Sequence, residues 1–327
     1  MSVMETLRGP DTAVYSRQRG KPLQTVDSAY SSTASFGTLT HDAQLNYYGN
    51  RLATCSSDRT VKIFEVKANG YVFPIAELAG HAGPVWQLSW AHPDFGGLLA
   101  SAGYDGKVII WAECNGKWQK SYEWTGHEAS VNAVSFAPHQ LGLLLATASA
   151  DCSIGILEFN PQNAQWVESR VLKAHELGVN AVSWSPPQRT IGDMKDQPFR
   201  KCFASCGNDN LVKIWTVDEK GEWTVEKTLA GHSDFVRDVA WRPVLSDSTY
   251  TIASCGQDQA VILWKCNKKG EWTAKLLEKT KEALWHVSWS LCGSILSVSG
   301  EDNKIVLWKE NLQGQWQKMG DPKMTRR

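Results

Sequence analysis

Apolar positions recur along this chain in a fixed order after a single aspartate. Six segments share that order: CSSDRTVKIF, AGYDGKVIIW, ASADCSIGIL, CGNDNLVKIW, CGQDQAVILW and SGEDNKIVLW. The shared acids are Asp58, Asp105, Asp151, Asp209, Asp258 and Asp302, at intervals of 47, 46, 58, 49 and 44 residues. Three positions after each stands Val61, Val108, Ile154, Val212, Val261 or Ile305, and five after stands Ile63, Ile110, Ile156, Ile214, Leu263 or Leu307. The sixth position holds Phe64, Trp111, Leu157, Trp215, Trp264 or Trp308. A strand turns its third and fifth residues to one face and its sixth to the other, so both faces are apolar. Such strands belong in stacked sheets.

The segments around this strand complete a repeat. Each Asp follows a strand ending in a small residue, namely Cys55, Ala102, Ala148, Cys206, Cys255 or Ser299. The ending predicts a tight turn in which the carboxylate bonds nearby backbone. Upstream lies a further strand, clearest in VWQLSW, VNAVSF, VNAVSW, VRDVAW and LWHVSW, with DAQLNY as a weaker first copy. Downstream, a turn leads to Trp118, Trp166, Trp223, Trp272 or Trp316 on a fourth strand. Thirteen of the 16 tryptophans fall at repeat-equivalent positions, which fixes the register of the units. Each unit is thus a four-stranded antiparallel meander with two apolar faces, and radial packing of such units is an all-β, six-bladed β-propeller.

Composition narrows the function classes. The 34 basic and 34 acidic side chains cancel, leaving none of the basic footprint of a nucleic-acid binder. No apolar run approaches the roughly 18 residues of a membrane span, and the opening MSVMETLRGPDTAV lacks a basic head followed by an apolar stretch. The eight cysteines then read as reduced thiols of a cytosolic or nuclear protein. Cys202 and Cys206 lie two strand periods apart with no second close pair, so they read as small core residues rather than metal ligands. No phosphate loop or zinc-protease pattern is present, and no catalytic residue, cofactor or metal is expected.

One constellation has the composition of a nucleophilic triad. His81, Ser101 and Asp105 recur as His175, Ser205, Asp209 and as His232, Ser254, Asp258, each set followed by Trp111, Trp215 or Trp264. An enzyme does not need one site copied at the repeat period, so these side chains are expected to form a buried structural network. Blades one and three carry partial sets (His41, Thr54, Asp58, then Phe64; His127, Thr147, Asp151, then Leu157), and blade six keeps only Asp302 and Trp308.

Gly80-His81, Gly126-His127 and Gly231-His232, followed by Asp and Trp at these spacings, resemble the WD40 repeat family over residues 39–320. No third strand ends in Trp-Asp, and the Trp-Asp-x-Arg signature of ubiquitin-ligase substrate receptors is absent. A closed WD40 ring usually builds one blade from both chain ends. Here the array starts with a first strand near His41 and ends with a fourth strand near Trp316, so all six blades are complete in chain order and the ring is expected to be open. Blades one and six would each leave a face uncovered, exposing Val61 and Ile63 or Phe64 on one side and Ile305 and Leu307 or Trp308 on the other, with the parity open. These six are the expected partner-binding residues. The alternative is that residues 1–38 fold back through TASFGTL to fill the gap; otherwise they read as a polar, disordered extension, and 321–327 as a basic tail.

HDAQLNYYGNRLATCSSDRTVKIFEV, GHAGPVWQLSWAHPDFGGLLASAGYDGKVIIW, HSDFVRDVAWRP and SGEDNKIVLWKE are similar to the small WD40 subunit shared by the COPII vesicle outer coat and the nuclear-pore Y-complex. The resemblance implies a non-enzymatic, hetero-oligomeric scaffold whose open propeller accepts an insertion blade from an α-solenoid partner. That partner is the large COPII outer-coat subunit at endoplasmic reticulum exit sites, or an α-solenoid nucleoporin at the nuclear envelope. Relatives also occur in a TOR-regulating complex. Membrane association would come only through the coat or pore. The competing reading is an adaptor reading peptides at the Asp-turn face, where Ser57, Tyr104, Ala150, Asn208, Gln257 and Glu301 share no single chemistry. An insertion in blade four, Ser185 to Lys201, reads as a surface loop between its first and second strands.

Overall fold

The computed structural model describes residues 39–187, 199–243, 249–267, 269–311 and 313–319. Both expected terminal segments, 1–38 and 321–327, lie outside the described residues, as does most of the 185–201 insertion.

Twenty-four strands form six four-stranded antiparallel sheets, each built from consecutive strands. Blade one comprises Thr40–Leu45, Arg51–Ser56, Thr60–Val66 and Val72–Ala79 (β1–β4), and blade two Val85–Trp90, Leu98–Gly103, Val108–Cys114 and Lys117–Trp124 (β5–β8). Blade three holds Val131–Phe136, Leu144–Ser149, Ile154–Asn160 and Gln165–Val171 (β9–β12). Blade four holds Val179–Trp184, Cys202–Gly207, Leu211–Val217 and Trp223–Ala230 (β13–β16). Blades five and six are Val236–Trp241, Tyr250–Gly256, Ala260–Cys266, Trp272–Lys279 (β17–β20) and Leu284–Trp289, Ile295–Gly300, Ile305–Glu310, Trp316–Lys318 (β21–β24). The strands of each blade are called a to d. Among the described residues no sheet combines strands from the two ends of the chain. The sequence expectation of complete blades in order, forming an open propeller, holds.

Sequence dictates the turn that defines each blade. At every b–c junction the Asp carboxylate accepts the backbone N–H two residues on, at Thr60, Lys107, Ser153, Leu211, Ala260 and Lys304. The intervening residue is left-handed in all six blades, and only Gly106 adopts that conformation without Cβ strain. On strand a, a β-bulge leaves one residue out of register in each blade: His41, Trp86, Asn132, Asn180, Arg237 and Trp285. Several of these reach across to the next blade. Trp86 donates to Ser130 at 2.9 Å, Asn132 to the Val179 carbonyl at 2.9 Å and Asn180 to the Val236 carbonyl at 2.8 Å.

Between blades the apolar faces merge. Val61 and Ile63 share a core with Leu88, Leu99, Ile109 and Trp111 of blade two, and Val108 and Ile110 share one with Val134, Leu145 and Leu157 of blade three. The later boundaries repeat this, ending with Val261 and Leu263 against Val287, Leu296 and Trp308. Close packing of a-strands runs β1–β5–β9–β13–β17–β21, and among the described residues no core joins blade six to blade one. At the blade rims the a- and d-strand tryptophans meet edge to face, as in Trp90–Trp118 at 5.7 Å and Trp289–Trp316 at 5.4 Å.

Candidate functional site

The shared cores fix the orientation that the sequence left open. Residues three and five after the Asp face the following blade, while residue six faces the preceding one. Val61 and Ile63, both 0% exposed, therefore lie in the core between blades one and two and do not line the gap. Trp308 likewise packs against blade five. These three placements correct the broader set of six gap residues, because the strands of a propeller all stack in one rotational sense. Phe64 lies on the outward face of blade one, and Ile305 and Leu307 on the outward face of blade six.

The outward face of blade six is the anomaly. The ten residues equivalent to Ile305 and Leu307 in blades one to five are at most 2% exposed. Ile305 and Leu307 themselves are only half-buried. Directly across the ladder stand Ser299 and Ser297. On blade one, Leu52 is paired with Phe64 and both are buried, so the exposure of Phe64 expected from an uncovered face is not found. Of the six expected gap residues only Ile305 and Leu307 of blade six are half-buried. Leu52 and Ser297 are not among the residues the sequence singles out, and Ser299 figures there only as the small residue that ends a strand. The available signal was position, since Leu52 occupies the register of Leu99 and the two serines that of Ala100 and Ala102.

The triad-like sets assemble as buried hydrogen-bond relays. In blade two the Trp111 indole N–H donates to Ser101 Oγ at 2.9 Å, Ser101 meets His81 Nε2 at 2.8 Å and His81 Nδ1 meets Asp105 at 3.0 Å. Blade four repeats this through Trp215, Ser205, His175 and Asp209, and blade five through Trp264, Ser254, His232 and Asp258. Indole can only donate, so the hydroxyl accepts from it and donates to Nε2, and Nδ1–H donates to the carboxylate. Each serine is 0% exposed, which denies a substrate access to its oxygen. The carboxylates of Asp105 and Asp209 sit below the ordinary range. Burial alone would raise them, but the histidine and backbone N–H bonds outweigh it.

Blades one and three depart from the expected sets. His41 lies on β1 at the bulge position rather than in a loop, and its Nε2 bonds Ser57 at 2.8 Å instead of Asp58. In blade three His127 bonds Asp151 and Thr147 as expected, but Leu157 replaces the indole. Trp124 from β8 packs edge to face on His127 at 4.8 Å, its N–H donating to Glu168. In blade six Val298 stands where Ser101, Ser205 and Ser254 stand, and among the described residues the buried Trp308 Nε1 has no acceptor. Val298→Thr supplies that acceptor nearly isosterically. It is expected to hold or raise stability by up to about 1 kcal/mol, read as an unchanged or higher urea midpoint at constant m-value.

Other chemistry is sparse. Burial pushes the Cys202 thiol up to about 12, as fits a core residue. His92, Asp94 and His139 bring ligand atoms within 4.8 Å of one another. The two imidazoles are stacked at 3.9 Å and 24°, however, so their in-plane lone pairs run nearly parallel rather than converging on an ion. On the Asp-turn face, Tyr104 is exposed, while Asn208 donates to the Leu177 carbonyl and Gln257 accepts from Arg237.

Comparison with known proteins places this geometry. The WD domain, G-beta repeat family matches residues 37–65, 73–112, 118–156, 166–216, 223–265 and 273–309. The chain is 58% identical over 262 residues to the Protein SEC13 homolog of Caenorhabditis briggsae, covering 79% of this chain and 84% of the relative. It is 45% identical over 278 residues to the Protein transport protein sec13 of Emericella nidulans, covering 82% and 90%. It is 47% identical over 271 residues to that of Aspergillus fumigatus, covering 80% and 88%.

Proposed function

The chain belongs to the Sec13 family of WD40-repeat proteins, and on that premise we propose that it is a non-enzymatic scaffold of vesicle transport whose open seam accepts a blade from another chain. The single observation that supports this most is the half-burial of Ile305 and Leu307, at positions sealed in every other blade. Burying such a face removes apolar area from water, and unpaired strand edges beside it offer backbone hydrogen bonds. The partner is the large COPII outer-coat subunit, with assembly at endoplasmic reticulum exit sites. The same seam serves an α-solenoid nucleoporin of the Y-complex at the nuclear envelope, and a partner in a TOR-regulating complex. One docking surface with several partners would let a single chain join all three assemblies.

The test is co-expression with the large outer-coat subunit. Ile305→Asp combined with Leu307→Asp places two charges on the docking face and is expected to weaken copurification by about 100-fold. The free variant stays folded, because both side chains already meet solvent. Wild-type recovery of the partner by this double variant would overturn the proposal.

A further inference from the structure

One position on strand a is hydrogen-bonded across all five internal blade boundaries. It holds Gln44, Ser89, Ser135, Ser183 and Ala240 in blades one to five. The donor is each time the aromatic residue at one fixed position of the following blade. Trp90, Trp184 and Trp289 donate their indole N–H to the backbone carbonyls of Gln44, Ser135 and Ala240, at 2.9, 2.9 and 3.1 Å. Phe136 and Trp241 instead donate their backbone N–H to the hydroxyls of Ser89 and Ser183, at 3.0 and 2.9 Å. At three boundaries a second bond lies two residues earlier on both strands. There the backbone N–H groups of Leu88, Val134 and Val287 donate to the side chains of Asp42, Gln87 and Asp238. Bonds that advance together on both strands mean that neighbouring a-strands run the same way, in one register.

In blade six this position is Ser288. It pairs with Ser297 as Ser89 pairs with Ala100, so its side chain shares the outward face with Ile305 and Leu307. Ser288 is half-buried, and among the described residues its hydroxyl makes no hydrogen bond. Solvent therefore reaches it in the free chain, and an incoming strand can too. The aromatic position itself is changed in blade one. Leu45 pairs with Leu52 there as Trp90 pairs with Leu99, so blade one carries no ring of its own to set against Ser288. Resting on the docking seam proposed above, we infer that the innermost strand of the inserted blade runs parallel to β21 and sets an aromatic residue beside Ser288. The backbone N–H of that residue donates to the Ser288 hydroxyl, as at Ser89 and Ser183. Its ring has a defined task. Trp289 shares a core with Val261 and Leu263 of blade five, the residues equivalent to Ile305 and Leu307. An aromatic at the same register on the incoming strand covers Ile305 and Leu307 in the same way, burying the two aliphatics that blade six leaves half-exposed.

The experiment measures Ser288→Ala in the full chain twice, by titration with the purified large outer-coat subunit and by melting of the free chain. Removing the acceptor of the incoming N–H should raise Kd by about tenfold. The melting temperature of the free chain should stay within about 2 °C, because the hydroxyl bonds nothing there. In the large subunit, alanine then replaces the aromatic residues of the inserted segment one at a time, and one of these changes should raise Kd by about 100-fold. Unchanged or tighter binding by Ser288→Ala overturns the inference. So does a clearly lower melting temperature, which would show the hydroxyl already bonded within the chain. So does a full set of aromatic replacements that all bind normally. Leu307→Asp, run in parallel, separates the two levels. If it too binds normally, the docking seam itself fails. If it abolishes binding while Ser288→Ala binds normally, only the inner-strand contact fails.

Discussion

Replacing Trp124 with alanine is expected to destabilise the fold by about 3–5 kcal/mol, the range for truncating a large buried aromatic. This residue sits outside the tryptophan positions of the repeat, yet its ring takes their place in blade three, lying against Gly126 as Trp111 and Trp264 lie against Gly80 and Gly231, while its N–H goes to Glu168. Its ring is 3% exposed, lies in the core between blades two and three, and packs edge to face on His127. The space it fills exists because Gly155 stands where other blades have Lys62, Ile109, Lys213, Ile262 or Val306. A Cβ on Gly155 would come within 2.2 Å of the Trp124 ring and 2.6 Å of Thr147 Oγ1. The two positions are therefore coupled. Gly155→Ile alone should be severely destabilising, whereas Gly155→Ile in the Trp124→Ala background fills the vacated volume and should recover part of the loss. A double-mutant cycle by urea denaturation measures this, with a coupling of about 2 kcal/mol expected. Strict additivity would show that the indole and the missing side chain do not compete for one space.

The same pair shows where sequence reading succeeds and where it stops. The aspartate intervals and the positions after them were enough to lay out all 24 strands, because a period-two pattern with both faces apolar leaves little choice of register. Counting complete blades also exposed the open seam. The pattern could not say which face of each blade looks forward, since strand parity is symmetric until the sheets stack in one rotational sense; that is why Val61, Ile63 and Trp308 were grouped with Phe64, Ile305 and Leu307. His41 differs from the loop histidines already in sequence, since Thr40 rather than a glycine precedes it and 17 residues separate it from Asp58, against 24 from His81 to Asp105; that spacing is the signal that it sits on strand a. Trp124 stayed hidden because the compensation crosses a blade boundary: the lost indole of Leu157 and its replacement belong to different repeats. Ser299 reads in sequence as one more small residue, and only the structure shows its oxygen buried with no hydrogen-bond partner among the described residues.

Acidification from pH 7 to pH 5 is expected to cost this fold several kcal/mol, before any carboxylate is protonated. Burial lowers the pKa of His127, His175 and His232 from the ordinary value, and the neighbouring Asp151, Asp209 and Asp258 only partly offset it. For His175 and His232 the relay adds to this, since indole, hydroxyl, imidazole and carboxylate are all satisfied in one direction of donation, whereas His127 bonds Thr147 and Asp151 without an indole. A proton on Nε2 would make that nitrogen a second donor to a hydroxyl already accepting from indole. Below about pH 6.5 the unfolded chain takes up these protons while the folded chain does not, so stability falls as pH falls. Each such histidine contributes a slope of up to about 1.4 kcal/mol per pH unit until its folded pKa is reached. Asp105, Asp151 and Asp209, held below their ordinary range against burial by hydrogen bonds, add a second loss below about pH 4. Urea midpoints between pH 8 and pH 3 should thus decline in two stages. His175→Asn removes one titrating ring and should flatten the upper stage by about a third, whatever it costs at pH 8. A midpoint that is level from pH 7 to pH 5, or that rises, would mean the rings ionise inside the fold as readily as outside it, and the relay would have to run in the opposite sense.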